Sequence, residues 1–424
     1  MSVETPPWPA PQSSGIQAEV VVPGSKSLTN RELLLSALAS GPSKLEDPLI
    51  SRDSQLMMTA LESLGVQFEN SAETLEVTPG QLRGDTVVNC GLAGTVMRFV
   101  PPMAALASGS VTFDGDESAR RRPMKTTIDS LKALGVVVDS DSNTLPFSIF
   151  GTGEIAGGEL TIDASASSQF VSGLLLSAPR FRDGLTLHHK GEHLPSMPHI
   201  EMTLQCLRDR GVAAEKVGPA SWRVEPGPIA GMRIQIEPDL SNAGPFLAAA
   251  MVASGEARIP NWPAETTQVG AMYPELMTHM GATAEIESGT LTLRGTGEIQ
   301  GITADLSAAG ELTPTIAALA ALADSPSRLT GIGHLRGHET DRLAALVAEI
   351  NGLGGNACEL PDGIEIQPAQ LHGGTWHTYE DHRMATAGAI IGLRVSGVLV
   401  EDISVTSKTM PEFPRMWQSM LEGN

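Results

Sequence analysis

Little in this 424-residue chain could anchor it in a membrane or staple it covalently. It has no run of about 18 apolar residues, the length a bilayer-spanning helix needs, and its mean hydropathy is close to zero. The first twenty residues hold several prolines and no basic stretch backed by an apolar one, so a secretory leader is not expected. Three cysteines, Cys90, Cys206 and Cys358, lie far apart and are odd in number. They suggest neither a disulfide framework nor a zinc cluster, which fits a reducing, cytoplasmic setting. Basic residues are also scarce, 28 Lys and Arg against 49 Asp and Glu, a net charge of −21. That balance argues against nucleic acid or anionic lipid as the main partner. An anionic small molecule would need a site that gathers cations locally against the background.

What the chain does have is a repeat. Five times a helical pattern runs into a glycine, followed by two β-rich stretches around a turn. The copies are SLGVQFEN…TLEVTPG, ALGVVVDSDSNTLPFSIFG, DRGVAAEKVGPASWRVEPG, MGATAEIESGTLTLRG and LGGNACELPDGIEIQP. Their glycines, Gly65, Gly135, Gly211, Gly281 and Gly354, are spaced by 70, 76, 70 and 73 residues. Each stands where a helix would end in a left-handed residue, and the following stretches read as hairpins. An ordinary doubly wound α/β chain would not be expected to keep such intervals.

A second set of landmarks alternates with the first. A polar residue closes a β-like run, a small-residue loop follows, and an apolar helical pattern begins. The instances are VVPGSKSLTNRELLLSAL at Val21, NCGLAGTVMRF at Asn89, DASASSQFVSG at Asp163, DLSNAGPFLAA at Asp239, DLSAAGELTPT at Asp305 and EDHRMATAGAI around Asp381. Three such units would make a domain of about 210 residues, within the single-domain range. The last unit lacks a closing hairpin, and the amino end begins with an unmatched strand. The two termini are therefore expected to complete one domain, residues 1–20 with 231–424, leaving 21–230 as the other.

Helix amino termini present free N–H groups and a partial positive charge, and Gly/Ser/Ala loops let an anion approach them. Six such starts aimed at one cleft would suit a multiply charged, phosphorylated ligand. Hydroxyls at Ser25, Ser27, Thr95, Ser165, Ser167 and Ser168 accompany them, as do Lys26, Arg31, Arg98, Arg120 to Arg122, Arg342, Arg383 and Lys408. Arginine forks suit carboxylate and phosphate. GSKS is not a GxxxxGK[ST] loop, so nucleotide binding is disfavoured. Carboxylates fall in the same places: Glu311, Glu339 and Asp341 of HETDR, and Asp381 of EDHR. HETDR lacks the second histidine of a zinc-binding HExxH, and no metal is expected.

VPGSKSLTNR, CGLAGTVMRF, RRRP, SASSQF, LPSMPH, GELTPT, HETDRL, YEDHRMA and SKTMPEFP occur in that order along nearly the whole chain. Together they resemble the enolpyruvyl transferase family, in the branch that acts on shikimate 3-phosphate. The resemblance implies a two-domain inside-out α/β barrel, with three βαβαββ units per domain and two crossovers. It implies an addition–elimination in which the 5-hydroxyl of shikimate 3-phosphate adds to C2 of phosphoenolpyruvate while C3 is protonated; the tetrahedral intermediate then expels phosphate. By the same resemblance Lys26, Ser27, Arg31, Thr95, Ser167, Ser168, Gln169, Ser196, Glu311 and His338 would hold shikimate 3-phosphate. Lys26, Gly94, Arg122, Gln169, Arg342, Arg383 and Lys408 would hold phosphoenolpyruvate. Glu311 would accept the hydroxyl proton, Glu339 would donate to the methylene carbon, and Lys26 would assist. No cofactor is implied, the partners are the two small substrates, and a monomer is expected. Gly94 would leave room for glyphosate in competition with phosphoenolpyruvate.

The chain departs from the common family pattern at Leu92, where an asparagine is usual, at His338 for lysine, at Glu311 for aspartate, and at His199 for tyrosine. A sister branch takes UDP-N-acetylglucosamine and uses a loop cysteine, with an asparagine after its first lysine. Here Ser27 follows Lys26, and Cys90 reads as the end of a strand. A non-catalytic phosphometabolite binder is the other alternative; it would be expected to have lost Lys26, Glu311 or Glu339, and all three are present.

Overall fold

In a computed structural model, which describes residues 6–71 and 73–423, all five repeat glycines have positive φ, from 81° at Gly211 to 109° at Gly65. Each is followed by a hairpin: Gln67–Ser71 with Thr74–Thr78, Val137–Asp139 with Phe147–Thr152, Ala214–Gly218 with Ser221–Val224, Thr283–Glu287 with Thr290–Arg294, and Asn356–Leu360 with Gly363–Gln367. Every hairpin belongs to a four-stranded sheet whose two other strands are parallel, the pattern of a βαβαββ unit. The sixth sheet has three strands. Gly374–Trp376 and Val398–Val400 run parallel, and Trp8–Pro9 pairs antiparallel where a hairpin would otherwise stand.

The chain forms two compact units, one up to Pro23 and again from Pro238, the other Gly24–Glu237. These bounds differ from the expected 20/21 and 230/231. The second boundary lies later because Arg233–Gln235 pairs parallel with Ser43–Glu46. This reflects a reciprocal exchange. Gln17–Glu19 precedes the helix Lys26–Leu38 in sequence but pairs with Glu256–Ile259, whereas Arg233–Gln235, which precedes the helix Leu240–Val252, completes the first sheet of the other unit. The strand that would open each of these repeats is thus supplied to the opposite unit. At the two crossings Asp239 N donates to Pro23 O and Ser25 N to Glu237 O, both at 2.8 Å. Gly24 has no room for a side chain: a Cβ there would lie 2.1 Å from the Asp47 carbonyl oxygen.

Within the unit Gly24–Glu237, the helices Lys26–Leu38, Gly94–Ala104 and Gln169–Ser177 pack on one another and are almost wholly buried. Leu240–Val252, Thr313–Ala321 and His382–Gly392 do the same in the other unit. The inner hairpin strands Thr74–Thr78 and Thr290–Arg294 alternate buried with more exposed residues, as expected of sheets with one face on a core and one in water. Helices inside and sheets outside make each unit an inside-out α/β barrel. Each has its own apolar core. Among the described residues no helix is long and apolar enough to cross a membrane.

Candidate active site

The starts of these central helices hold many of the residues singled out from the sequence, and at four of them a polar side chain shapes the loop. Asn89 Oδ1 accepts from Gly91 N at 2.9 Å, Asp163 from Ser165 N at 2.9 Å, Asp305 from Ser307 N at 2.8 Å, and Asp381 from Arg383 N at 2.9 Å. Hydrogen bonds from Ser165, side chain first and backbone second, hold the Asp163 carboxyl below its usual range. These loops therefore satisfy some of their own N–H groups.

In the unit Gly24–Glu237, Ser25 caps its helix by accepting from Leu28 N at 3.4 Å. Lys26 points to the buried Asp53 carboxylate, Nζ to Oδ2 3.4 Å. Arg31, expected to grip a ligand, is 1% exposed and turned into the framework. It donates to Thr203 Oγ1, Ser27 O and His199 O, each at 2.9 Å. Its place is that of a brace tying Ser27 to the start of Met197–Asp209, whose N-cap Ser196 takes a left-handed conformation. Thr95 accepts from Asn30 Nδ2 at 2.9 Å, and Ser167 Oγ accepts from Gln169 N at 3.2 Å. Ser168 caps that helix without a side-chain bond of its own.

Gly94 is the focus of this half. A Cβ built on it would lie 3.0 Å from Gln169 Oε1 and 3.2 Å from both Arg122 Nη2 and Arg98 Nη1. Gln169 Oε1 and Arg122 Nε are buried with no hydrogen-bond partner in the protein. Leaving such atoms unsatisfied costs about 1–3 kcal/mol each, so they favour an incoming polar ligand. The RRR run is split: Arg120 pairs with Asp114 at 2.7 Å and Arg121 with Glu117 at 3.6 Å, both near the surface. Only Arg122 turns inward, its Nη1 on the Leu92 carbonyl at 3.3 Å. Cys90 is fully buried, and burial pushes its thiol up to about 12. A thiol so placed is unsuited to serve as a proton donor in the adjoining loop.

In the other unit Asp341 caps the helix Arg342–Gly352, accepting from Ala344 N at 3.1 Å. This sets Arg342 on its first turn. Arg342 is 2% exposed and donates to Asp381 Oδ2 at 2.7 Å and to Glu339 Oε2 at 3.0 Å. The other Glu339 oxygen accepts from Lys408 Nζ at 2.7 Å, so Glu339 is clamped between two cations. His338 Nδ1 lies 3.4 Å from Arg342 Nη1. Glu311 stands in a 3₁₀ turn, Gly310–Leu312, just ahead of the α-helix that begins at Thr313. Its Oε1 is 3.8 Å from Arg383 Nη2 and accepts the Ser241 hydroxyl. The unit thus holds Glu339 with Arg342, Lys408 and His338, and Glu311 with Arg383 and Ser241. Among the described residues no group of His, Cys, Asp and Glu could hold a metal ion.

Asp53 and Ser241, which touch Lys26 and Glu311, are not among the residues singled out from the sequence; Ser241 in DLSNAG was a signal open to use: a hydroxyl at a helix start, like Ser27 and Thr95.

Solved structures place the fold. An EPSP synthase from Acinetobacter baumannii matches with a TM-score of 0.79 over 97% of both chains at 22% identity, and the enolpyruvyl transferase NikO from Streptomyces tendae with 0.77 over 96% of both at 16%. The fold is therefore that of the enolpyruvyl transferases. The family model for EPSP synthase (3-phosphoshikimate 1-carboxyvinyltransferase) matches residues 11–417. A curated 3-phosphoshikimate 1-carboxyvinyltransferase from Kocuria rhizophila is 56% identical over 98% of this chain and 96% of its own length. The chain belongs to the EPSP synthase family.

Proposed function

We propose that this chain transfers the enolpyruvyl group of phosphoenolpyruvate to the 5-hydroxyl of shikimate 3-phosphate and releases phosphate. The observation that carries the reading is Glu339. A carboxylate that is to protonate a carbon must be held, and Lys408 and Arg342 hold both of its oxygens within a family whose relative at 56% identity bears this activity in its name. Lys26, Ser27, Thr95, Ser167, Ser168, Ser196, Gln169 and His338 take shikimate 3-phosphate, with Arg31 bracing Ser27. Gly94, Arg122, Arg342, Arg383 and Lys408, with Lys26 and Gln169, take phosphoenolpyruvate.

Glu311 accepts the proton of the attacking hydroxyl as the C–O bond to C2 forms, and Glu339 delivers a proton to C3. The intermediate then loses phosphate as Glu339 takes a proton back from C3, the enol double bond is restored, and the proton held on Glu311 passes to the departing phosphate. Positive charge developing at C2 is stabilised by the two carboxylates, while the arginines fix the anions in place. Both steps are proton transfers aided by placement, so the reading calls for no cofactor.

The test is phosphate release measured with both reactants and with each omitted in turn. The reading requires release only when both are present; equal release from phosphoenolpyruvate alone would refute it.

A further inference from the structure

A glutamate has three side-chain torsions, so where its carboxylate stands is decided by what holds it. Ser241 lies on the first turn of Leu240–Val252, is 4% exposed, and donates its hydroxyl to Glu311 Oε1. The Ser241 carbonyl in turn receives the Tyr273 hydroxyl at 3.4 Å. The Tyr273 ring is fully buried and fits because residue 244 is glycine; a Cβ there would lie 2.3 Å from the ring Cζ. Burial, only partly offset by the nearby Arg383 charge, pushes the Tyr273 phenol up to about 12, so it remains a neutral donor throughout the working range. Arg383 reaches the same Glu311 oxygen from a third helix.

We infer that Ser241 is a positioning residue for the proton-accepting carboxylate: its O–H fixes Oε1 and thereby the plane in which Glu311 meets the attacking hydroxyl. This rests on the proton-accepting role proposed above for Glu311. A hydroxyl donated to the ionised carboxylate also favours its charged form. Removing it disorders the base and makes ionisation harder.

The experiment is steady-state phosphate release by the full chain, with phosphoenolpyruvate and shikimate 3-phosphate, from about pH 5.5 to 9, for wild type, Ser241→Ala and Ser241→Thr. In Ser241→Ala, kcat falls roughly ten- to hundredfold, as expected on losing a hydrogen bond to a charged group, while both KM values stay within about threefold. The acid limb of the kcat profile moves to higher pH by about half to one unit. Ser241→Thr, which keeps the hydroxyl, returns kcat to within about fivefold of wild type. An alanine variant with kcat within about twofold of wild type and an unmoved acid limb overturns the inference. So does a threonine variant as slow as the alanine one, since packing rather than the donor is then at stake. A wild type that releases no phosphate sinks the proposed function and this inference with it; an active wild type with an unaffected Ser241→Ala sinks this inference alone.

Discussion

Arg342 and Asp381 meet side by side, Nε to Oδ2 at 2.7 Å and Nη2 to Oδ1 at 3.2 Å, with side chains 2% and 0% exposed. Burial opposes the charge on Arg342, but the Asp381 and Glu339 carboxylates more than reverse that and raise its pKa. Asp381 also caps the helix that carries Arg383. Asp381→Asn therefore leaves a buried guanidinium with one counter-charge fewer. Breaking a buried pair in this way costs about 3–5 kcal/mol. Denaturant melts should show that loss, and KM for phosphoenolpyruvate should rise because two of the arginines proposed to hold it lose their support. A variant as stable as wild type would mean that water or Glu339 makes good the missing charge.

Glu339 gives the complementary case. Its partners Arg342 and Lys408 are both nearly buried, yet its proposed work is proton delivery. Glu339→Ala should keep affinity for shikimate 3-phosphate within a few fold and lose about 10²–10⁴-fold in kcat. Binding of the acceptor by calorimetry, set beside turnover, separates the two. Turnover close to wild type would remove Glu339 from the mechanism.

Elements set by local chemistry were legible in the sequence. The positive φ of Gly65, Gly135, Gly211, Gly281 and Gly354 and the five hairpins follow from turn residues and period-two patterning, which act over a few positions. The closeness of Gly94 to Gln169 and Arg122 agrees with the grouping that the family resemblance implies. Of the strand exchange, the amino-terminal half is legible as an unmatched strand, but the return strand is not: Arg233–Gln235 is three residues long, and nothing in so short a run tells a neighbouring partner from one some 190 positions away. The direction of Arg31 was equally hidden, because a guanidinium suits a carbonyl cradle as well as a ligand. Glu311 was found as a carboxylate, but the hydroxyl that aims it lies seventy positions earlier. Sequence names the reactive groups more readily than it names what holds them.

Gly94 makes a steric prediction. A Cβ would stand 3.0 Å from Gln169 Oε1 and 3.2 Å from the Arg122 and Arg98 guanidinium nitrogens, tighter than ordinary contact. Those side chains can yield by a few tenths of an ångström, so Gly94→Ala should fold normally and even gain helix propensity. Its KM for phosphoenolpyruvate should rise several-fold, with kcat less affected, because the shifted groups are the proposed anion ligands. Glyphosate, expected to compete with phosphoenolpyruvate, should inhibit the variant more weakly than it inhibits wild type. Unchanged KM and unchanged inhibition would place phosphoenolpyruvate elsewhere.

His334 makes the pH prediction. It lies on the turn Gly333–Gly337, and its buried Nε2 has no hydrogen-bond partner. The ring leaves no room at Gly310, the residue before Glu311, where a Cβ would lie 2.6 Å from Nε2. Burial, with the Arg342 charge second, lowers the pKa of His334 to about 4. The folded protein thus keeps this ring neutral, while the unfolded chain protonates it near pH 6.5. A folded pKa below the unfolded one means the contribution is complete above about pH 6.5 and is lost as pH falls toward 4, amounting to about 2–3 kcal/mol. His334→Gln abolishes the titration but leaves the acid-sensitive carboxylates common to both proteins. Unfolding midpoints in urea from pH 7 to about 4 should therefore fall more steeply for wild type than for the variant. Parallel slopes would show that His334 takes up its proton in place, and that the packing beside Glu311 opens to water without unfolding.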